Sequence, residues 1–117
     1  MPRYVILTHD HPFPHWDLLL EQGDICRAFR LLTEPVQGTA TAAQPLPDHR
    51  LHYLDYEGPV GGDRGTVTQW DSGEYRVLSD EAAELSIELH GRRGFTSACL
   101  MLIDKDVAWT FQASPAR

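Results

Sequence analysis

Three histidines, His9, His11 and His15, fall within seven residues, and Asp17 follows two positions after the last. Side chains two apart on a strand share a face. A strand starting at His15 therefore projects His15 and Asp17 together, with Glu21 further along that side. Trp16, Leu18 and Leu20 fill the other side. His9 ends an apolar run upstream, and the Pro12-Phe13-Pro14 loop can fold it back against His15. Two imidazoles and a carboxylate suit a divalent transition metal and leave positions open for substrate. Glu21 reads in two ways, as an acceptor orienting a ligand histidine or as a solvated carboxylate. His11, His52 and His90 read as surface residues.

A second cluster runs from Asp48 to Gly58. His49 lies where a loop enters a strand, and Tyr53, four residues later, shares its face if that strand is regular. Histidine can serve as acid, base or phosphate ligand near neutral pH. A tyrosine hydroxyl can hydrogen-bond a phosphoryl oxygen, and a metal polarises the same oxygen and activates water.

Short strands must position these groups. Arg3 to Thr8, His15 to Gln22 and Ile25 to Leu32 read as strands, the last two joined as a hairpin through Gly23-Asp24. Thr33 to Asp48, punctuated by Pro35, Gly38, Pro45 and Pro47, reads as a long loop. Leu51 to Glu57 alternates like a strand, and Gly58 to Gly65 is a loop. Thr66 to Trp70 and Glu74 to Leu78 read as strands on either side of an Asp71-Ser72-Gly73 turn. Ser79 to Glu84 can make one helical turn. Leu85 to His90, Phe95 to Ile103 and Val107 to Gln112 complete the strands, and Ser114 to Arg117 read as a frayed tail. Gly61-Gly62 is a turn, since no helix follows to bind phosphate. Arg92-Arg93 is a hairpin tip, and Trp70, Phe95, Trp109 and Phe111 read as packing. About nine short strands predict a mostly β, single-domain antiparallel β-barrel over residues 1–117. It has long loops, at most one short helical turn, and a metal at one mouth.

A length of 117 residues fits one domain. Net charge is −7, which disfavours a broad footprint on nucleic acid but permits a narrow site gripping one phosphorylated end. No apolar run approaches the roughly 20 residues of a membrane span, and the N-terminal residues lack a signal-peptide core. The expectation is a cytoplasmic monomer without membrane contact. Cys26 and Cys99 lie in apolar runs and read as buried free thiols.

The motifs, taken in order, resemble the 3′-phosphoesterase domain of bacterial DNA ligase D. Tyr4-Val5-Ile6-Leu7-Thr8-His9, then His15-Trp16-Asp17-Leu18-Leu19-Leu20-Glu21, are similar to that family's apolar strand, histidine, five-residue spacer and His-Tyr-Asp segment. Asp48-His49-Arg50-Leu51-His52-Tyr53 and Tyr56-Glu57-Gly58 are similar to its Asp-His-Pro-Leu-x-Tyr-x-x-Phe-Glu-Gly. Gly65-Thr66-Val67, Trp70-Asp71-Ser72-Gly73 and the Leu85 to Gly91 block follow in the family's order. The resemblance implies a barrel-like fold with manganese on His9, His15 and Asp17; zinc or another transition metal suits the same ligands. It implies that His49 and Tyr53 contact the scissile phosphate. The implied reaction removes a 3′-phosphate or 3′-ribonucleoside from DNA ends in repair, with DNA 3′ ends as partner and a ligase or polymerase encoded separately. Two departures stand out. Leu19 occupies the place of a family arginine, and Thr39 to Pro47 contains no Lys or Arg. Such arginines clamp phosphate; Arg30, Arg50 and Arg64 are candidates to replace the charge. Two other readings stay open. One is a non-catalytic metal-binding module of this fold that docks a protein or a nucleic-acid end. The other is a phosphoesterase for a small phosphorylated molecule.

Overall fold

The computed structural model describes residues 1–104 and 108–115, with side chains for 1–102 and 111–113. Among these residues are nine strands: β1 (Arg3–His9), β2 (His15–Gln22), β3 (Ile25–Leu31), β4 (Thr41–Arg50), β5 (Gly58–Pro59), β6 (Thr66–Glu81), β7 (Glu84–Gly91), β8 (Phe95–Asp104) and β9 (Ala108–Pro115). A single 3₁₀ turn, Leu51–Leu54, lies between β4 and β5. All pairings are antiparallel, in the order β1-β2-β3-β4-β9-β8-β7-β6-β5, and β1 also pairs with β6. Strands β1 to β4 and β6 to β9 thus close into a ring, with β5 appended to β6. This is the mostly β architecture expected from about nine short strands. No helix among the described residues is long and apolar enough to cross a membrane.

The two faces of the ring have separate cores. Tyr4, Ile6, Leu18, Leu20, Phe29 and Leu31 point inward and meet residues of β6 to β9. Val5, Leu7, Leu19, Cys26 and Ala28 point outward, where Leu54 of the 3₁₀ turn covers them. Residues 48–64 therefore form a strap across the outer wall of β1 to β3. Burial on both faces is why Leu18-Leu19-Leu20 is continuously apolar. Arg3 Nη1 ties the strap down by donating to Asp55 Oδ1 at 2.8 Å, and Gln69 Nε2 donates to the Leu54 carbonyl at 2.9 Å. Both cysteines are free, and burial pushes the Cys26 thiol up to about 11, which keeps it unreactive.

Several local expectations are corrected. Thr33 to Asp48 is not one long loop, because β4 begins at Thr41. Among the described residues its pairing with β9 covers Thr41 to Ala43, and Pro45 and Pro47 lie past that stretch, where a residue without an N–H is tolerated. Leu51 to Glu57 is not a strand. Three residues per turn bring Leu51 and Leu54 onto the same outer core, an apolar match that the 3₁₀ turn achieves and a strand does not. Asp71 to Gly73 is not a turn but the middle of the long strand β6. A Cβ on Gly73 would stand 2.1 Å from the His90 carbonyl oxygen, so close approach to β7 is what requires glycine there. Ser79 to Glu84 is not helical: β6 runs on to Glu81 and returns as β7 through a hairpin. A six-residue helix lacks the length to offset its nucleation, whereas the hairpin gains cross-strand bonds. Ser114 and Pro115 pair with Ser97 and Phe95, since β8 extends far enough to hold them. Val107, residues 116–117 and the Trp109 side chain lie outside the described set. Phe95 and Phe111 are buried in the ring, with Trp70 packed against it, as expected.

Asp71 explains a carboxylate inside the ring. It is fully buried; Oδ1 accepts from the N–H groups of Ser72, Arg92 and Arg93 at 2.9, 3.0 and 3.2 Å, and Oδ2 accepts from the Tyr4 hydroxyl at 2.7 Å. A Cβ on Gly91 would meet the Tyr4 hydroxyl at 1.8 Å, so the pocket is sealed around this pair. Asp71→Ala should cost about 3–5 kcal/mol, because it orphans four donors at once; urea unfolding reads the loss. Burial and then the bond to Asp71 drive the Tyr4 phenol well above its usual range. The unfolded chain ionises tyrosine near about pH 10 while the folded chain does not. The contribution of the neutral phenol is therefore present below that pH and is lost as pH rises beyond it. Unfolding midpoints measured from pH 8 upward should fall more steeply in the wild type than in Tyr4→Phe.

Candidate metal centre and phosphate cleft

His9 and His15 are direct partners where β1 and β2 meet the connecting loop. Their ring centroids are 4.8 Å apart. Both share the outward parity of Val5, Leu7 and Leu19, and so does Asp17. The cluster therefore lies on the outer wall beside the strap, not at the ring mouth as expected, because strand parity rather than strand end decides which way these side chains face.

One ligand atom from each of His9, His15 and Asp17 lies within 4.8 Å of the others. His15 Nδ1–H donates to the Phe13 carbonyl at 2.8 Å, and His9 Nε2–H donates to the Arg64 carbonyl at 2.7 Å. These partners assign the tautomers: the lone pairs sit on His15 Nε2 and His9 Nδ1. Both lone pairs face one oxygen, Asp17 Oδ2, at 3.3 and 3.7 Å. His15 and Asp17 are 1% and 5% exposed, so little water reaches them. Two lone pairs and an anionic oxygen converge favourably around a cation, and a proton on His15 Nε2 would make the same contact a hydrogen bond. The donor set thus fits a transition metal.

The backbone carbonyls of Phe13 and Arg64 perform the orienting role that the sequence offered to Glu21. Glu21 instead accepts the Arg3 N–H at 2.8 Å, because it sits at the far end of β2. Sequence has no signal for a carbonyl partner. Asp10 was also missed: its Oδ1 accepts from the Thr66 N–H at 2.8 Å and fastens the histidine loop to the end of the strap. Gly65 has φ +78°, and a Cβ there would stand 2.1 Å from Asp10 Oδ1. Glycine at this point is what lets the Arg64 carbonyl approach His9.

A cleft of about 410 Å³ opens between this cluster and the strap, lined by Asp17, His49, Tyr53, Arg30, Arg50 and Arg64 among others. His49 Nδ1–H donates to the Pro47 carbonyl at 2.9 Å, which leaves Nε2 for proton exchange. Its ring centroid lies 5.9 Å from that of Tyr53. The pair meets because the chain turns into the 3₁₀ segment after Arg50, not because a strand continues. Arg50 stacks on Tyr53 at 5.8 Å, and Arg64 Nε donates to the Gly61 carbonyl at 2.7 Å. His11, exposed as expected, borders the same cleft. Three arginines stand beside two carboxylates, Asp17 and Asp48, in this lining, so the cleft is locally more positive than a chain of net charge −7 as a whole. A larger depression of about 550 Å³ lies by Glu34, Trp70, Arg93 and Phe95. Arg93 and Phe95 stack against the Trp70 ring, and the convergent ligand set is elsewhere.

A family model described as the DNA Ligase D 3′-phosphoesterase domain matches residues 7–101. The chain belongs to that family. No curated protein matches it. The matched span contains the whole cleft, from Leu7 to Val67. Within this ligase D phosphoesterase frame the Leu19 departure gains a physical account. Leu19 is fully buried beneath the strap, where a guanidinium would be desolvated without a partner.

Proposed function

We propose that the chain is a metal-dependent phosphoesterase that removes a 3′-terminal phosphate from DNA ends. The observation that carries this reading is the convergence of the His9 and His15 lone pairs on Asp17 Oδ2, beside a cleft that holds His49, Tyr53 and three arginines. A divalent metal held by those three ligands would supply Lewis-acid polarisation of a phosphoryl oxygen and a nucleophilic water near neutral pH. Manganese is the metal chosen for the test. His49, anchored through Nδ1, can donate from Nε2 to a phosphate oxygen and pass that proton to the departing 3′-oxygen. Tyr53 offers its hydroxyl to the phosphate, and the arginines hold the anion in place. Narrowness reconciles the site with an acidic protein. One terminal phosphate can be neutralised locally, whereas a long duplex would face net repulsion. That acidic balance also favours the runner-up reading, hydrolysis of a small phosphoester.

The test uses metal-stripped protein, a labelled primer–template ending in a 3′-phosphate, and p-nitrophenyl phosphate alongside. The expected result is manganese-dependent loss of the 3′-phosphate. Turnover of the small ester alone would select the runner-up. Tight metal binding with no turnover of either substrate would instead indicate a non-catalytic binding module.

A further inference from the structure

The charge missing at Leu19 can come from the neighbouring strand. Arg30 is the direct partner of Asp17 in the β2–β3 register, and strand parity places both side chains on the outer wall. Arg30 Nε stands 4.0 Å from Asp17 Oδ1, too far for a hydrogen bond. Both atoms are buried and lack a hydrogen-bond partner among the described residues. Asp17 is thus two-sided: Oδ2 faces the imidazoles and Oδ1 faces the guanidinium. The guanidinium also lies 5.6 Å from the Phe13 ring centroid, a contact that restrains its plane. The other two cleft arginines are placed differently. Arg64 spends its Nε on the Gly61 carbonyl, Arg50 stacks on Tyr53, and both are exposed. Arg30 alone among the three combines contact with a candidate metal ligand, partial burial and a place in the cleft wall.

We propose that Arg30 is the residue that grips the terminal phosphate of the substrate, presenting its Nη groups to two phosphate oxygens while Nε screens Asp17. This rests on the phosphoesterase reading above and names the residue that does what Leu19 cannot. A planar fork suits the task, because it can offer one edge to phosphate while another edge faces the carboxylate. Lysine, with a single ammonium, cannot do both.

The experiment is calorimetric titration of the manganese-loaded protein with inorganic phosphate. A parallel competition pits phosphate against oligonucleotides ending in a 3′-phosphate or a 3′-hydroxyl. The variants are Arg30→Gln, Arg30→Lys and Arg27→Gln. Arg27 lies on the same strand but pairs with Asp80, away from the cleft. Manganese affinity and the thermal midpoint are measured for each. Arg30→Gln should weaken phosphate binding at least about tenfold, which is about 1.4 kcal/mol. Arg30→Lys should recover only part of it, Arg27→Gln should match wild type, and manganese affinity should change little. Wild-type phosphate affinity in Arg30→Gln would overturn the proposal while leaving the phosphoesterase reading intact. A parallel loss of manganese affinity would overturn it differently, making Arg30 a support for Asp17 only. Wild-type protein that does not distinguish the 3′-phosphate from the 3′-hydroxyl oligonucleotide would remove the reading on which the proposal stands.

Discussion

Asp17→Asn is expected to abolish useful metal binding while the ring stays folded. Asparagine keeps the shape of the side chain but removes the anionic oxygen on which both imidazole lone pairs converge. Loss of an outer partner of a metal site already costs about 10–100-fold in affinity. Loss of a ligand should therefore cost at least about 100-fold. Thermal unfolding gives a readout separate from catalysis. A metal present at a hundredfold excess over its Kd stabilises the wild type by about 2.7 kcal/mol, which is about 10 °C for a chain of this size. The variant should show no such rise at the same metal concentration. An equal rise in both proteins would mean that the metal sits elsewhere. Fold retention is expected because Asp17 belongs to the site end of β2, whereas Leu18, Leu19 and Leu20 carry the packing of that strand.

His49→Ala is expected to separate chemistry from metal binding. His49 is held on β4 by the Pro47 carbonyl and approaches the cleft from the strap, while the metal set is on β1 and β2. Removing the imidazole should lower turnover by about 10²–10⁴-fold, the usual contribution of a positioned acid or base. The metal-dependent rise in thermal midpoint should remain as in wild type. Turnover within a few-fold of wild type would remove His49 from the reaction. Loss of the thermal response would place it among the metal ligands and overturn the division of roles proposed for the two clusters.

Legibility of this fold followed the physics of each segment. β1, β2 and β3 were readable because their short apolar runs have one meaning: both cores reward them, and the Gly23-Asp24 turn joins two of them. β4 was hidden by its prolines, which argue against a strand until it is known that, among the described residues, its pairing with β9 lies ahead of them, at Thr41 to Ala43. The aromatic segment at Leu51 failed for the opposite reason. Its alternation imitates a strand, but the outer core needs Leu51 and Leu54 together, which only a tighter turn achieves. The break expected at Asp71 was also a matter of context. Asp, Ser and Gly spell a turn in isolation, yet here the carboxylate is consumed by four donors and the glycine by a facing carbonyl.

The same division holds for the site. Residue types and a period of two were enough, within the sequence, to put His15 beside Asp17 on one face and to mark His9 as a companion. They could also mark His49 and Tyr53 as a second group. Only the tertiary structure decided that the face is the outer wall, that a strap carrying His49 closes over it, and that Arg30 stands opposite Asp17. It also decided which nitrogen of each histidine carries its proton, through the carbonyls of Phe13 and Arg64. The physical reason is that face and period are local properties of a strand, written in neighbouring residues. Register, tautomer and the source of a compensating charge depend on backbone groups and strands far apart in the chain, where side-chain identity carries no local signal.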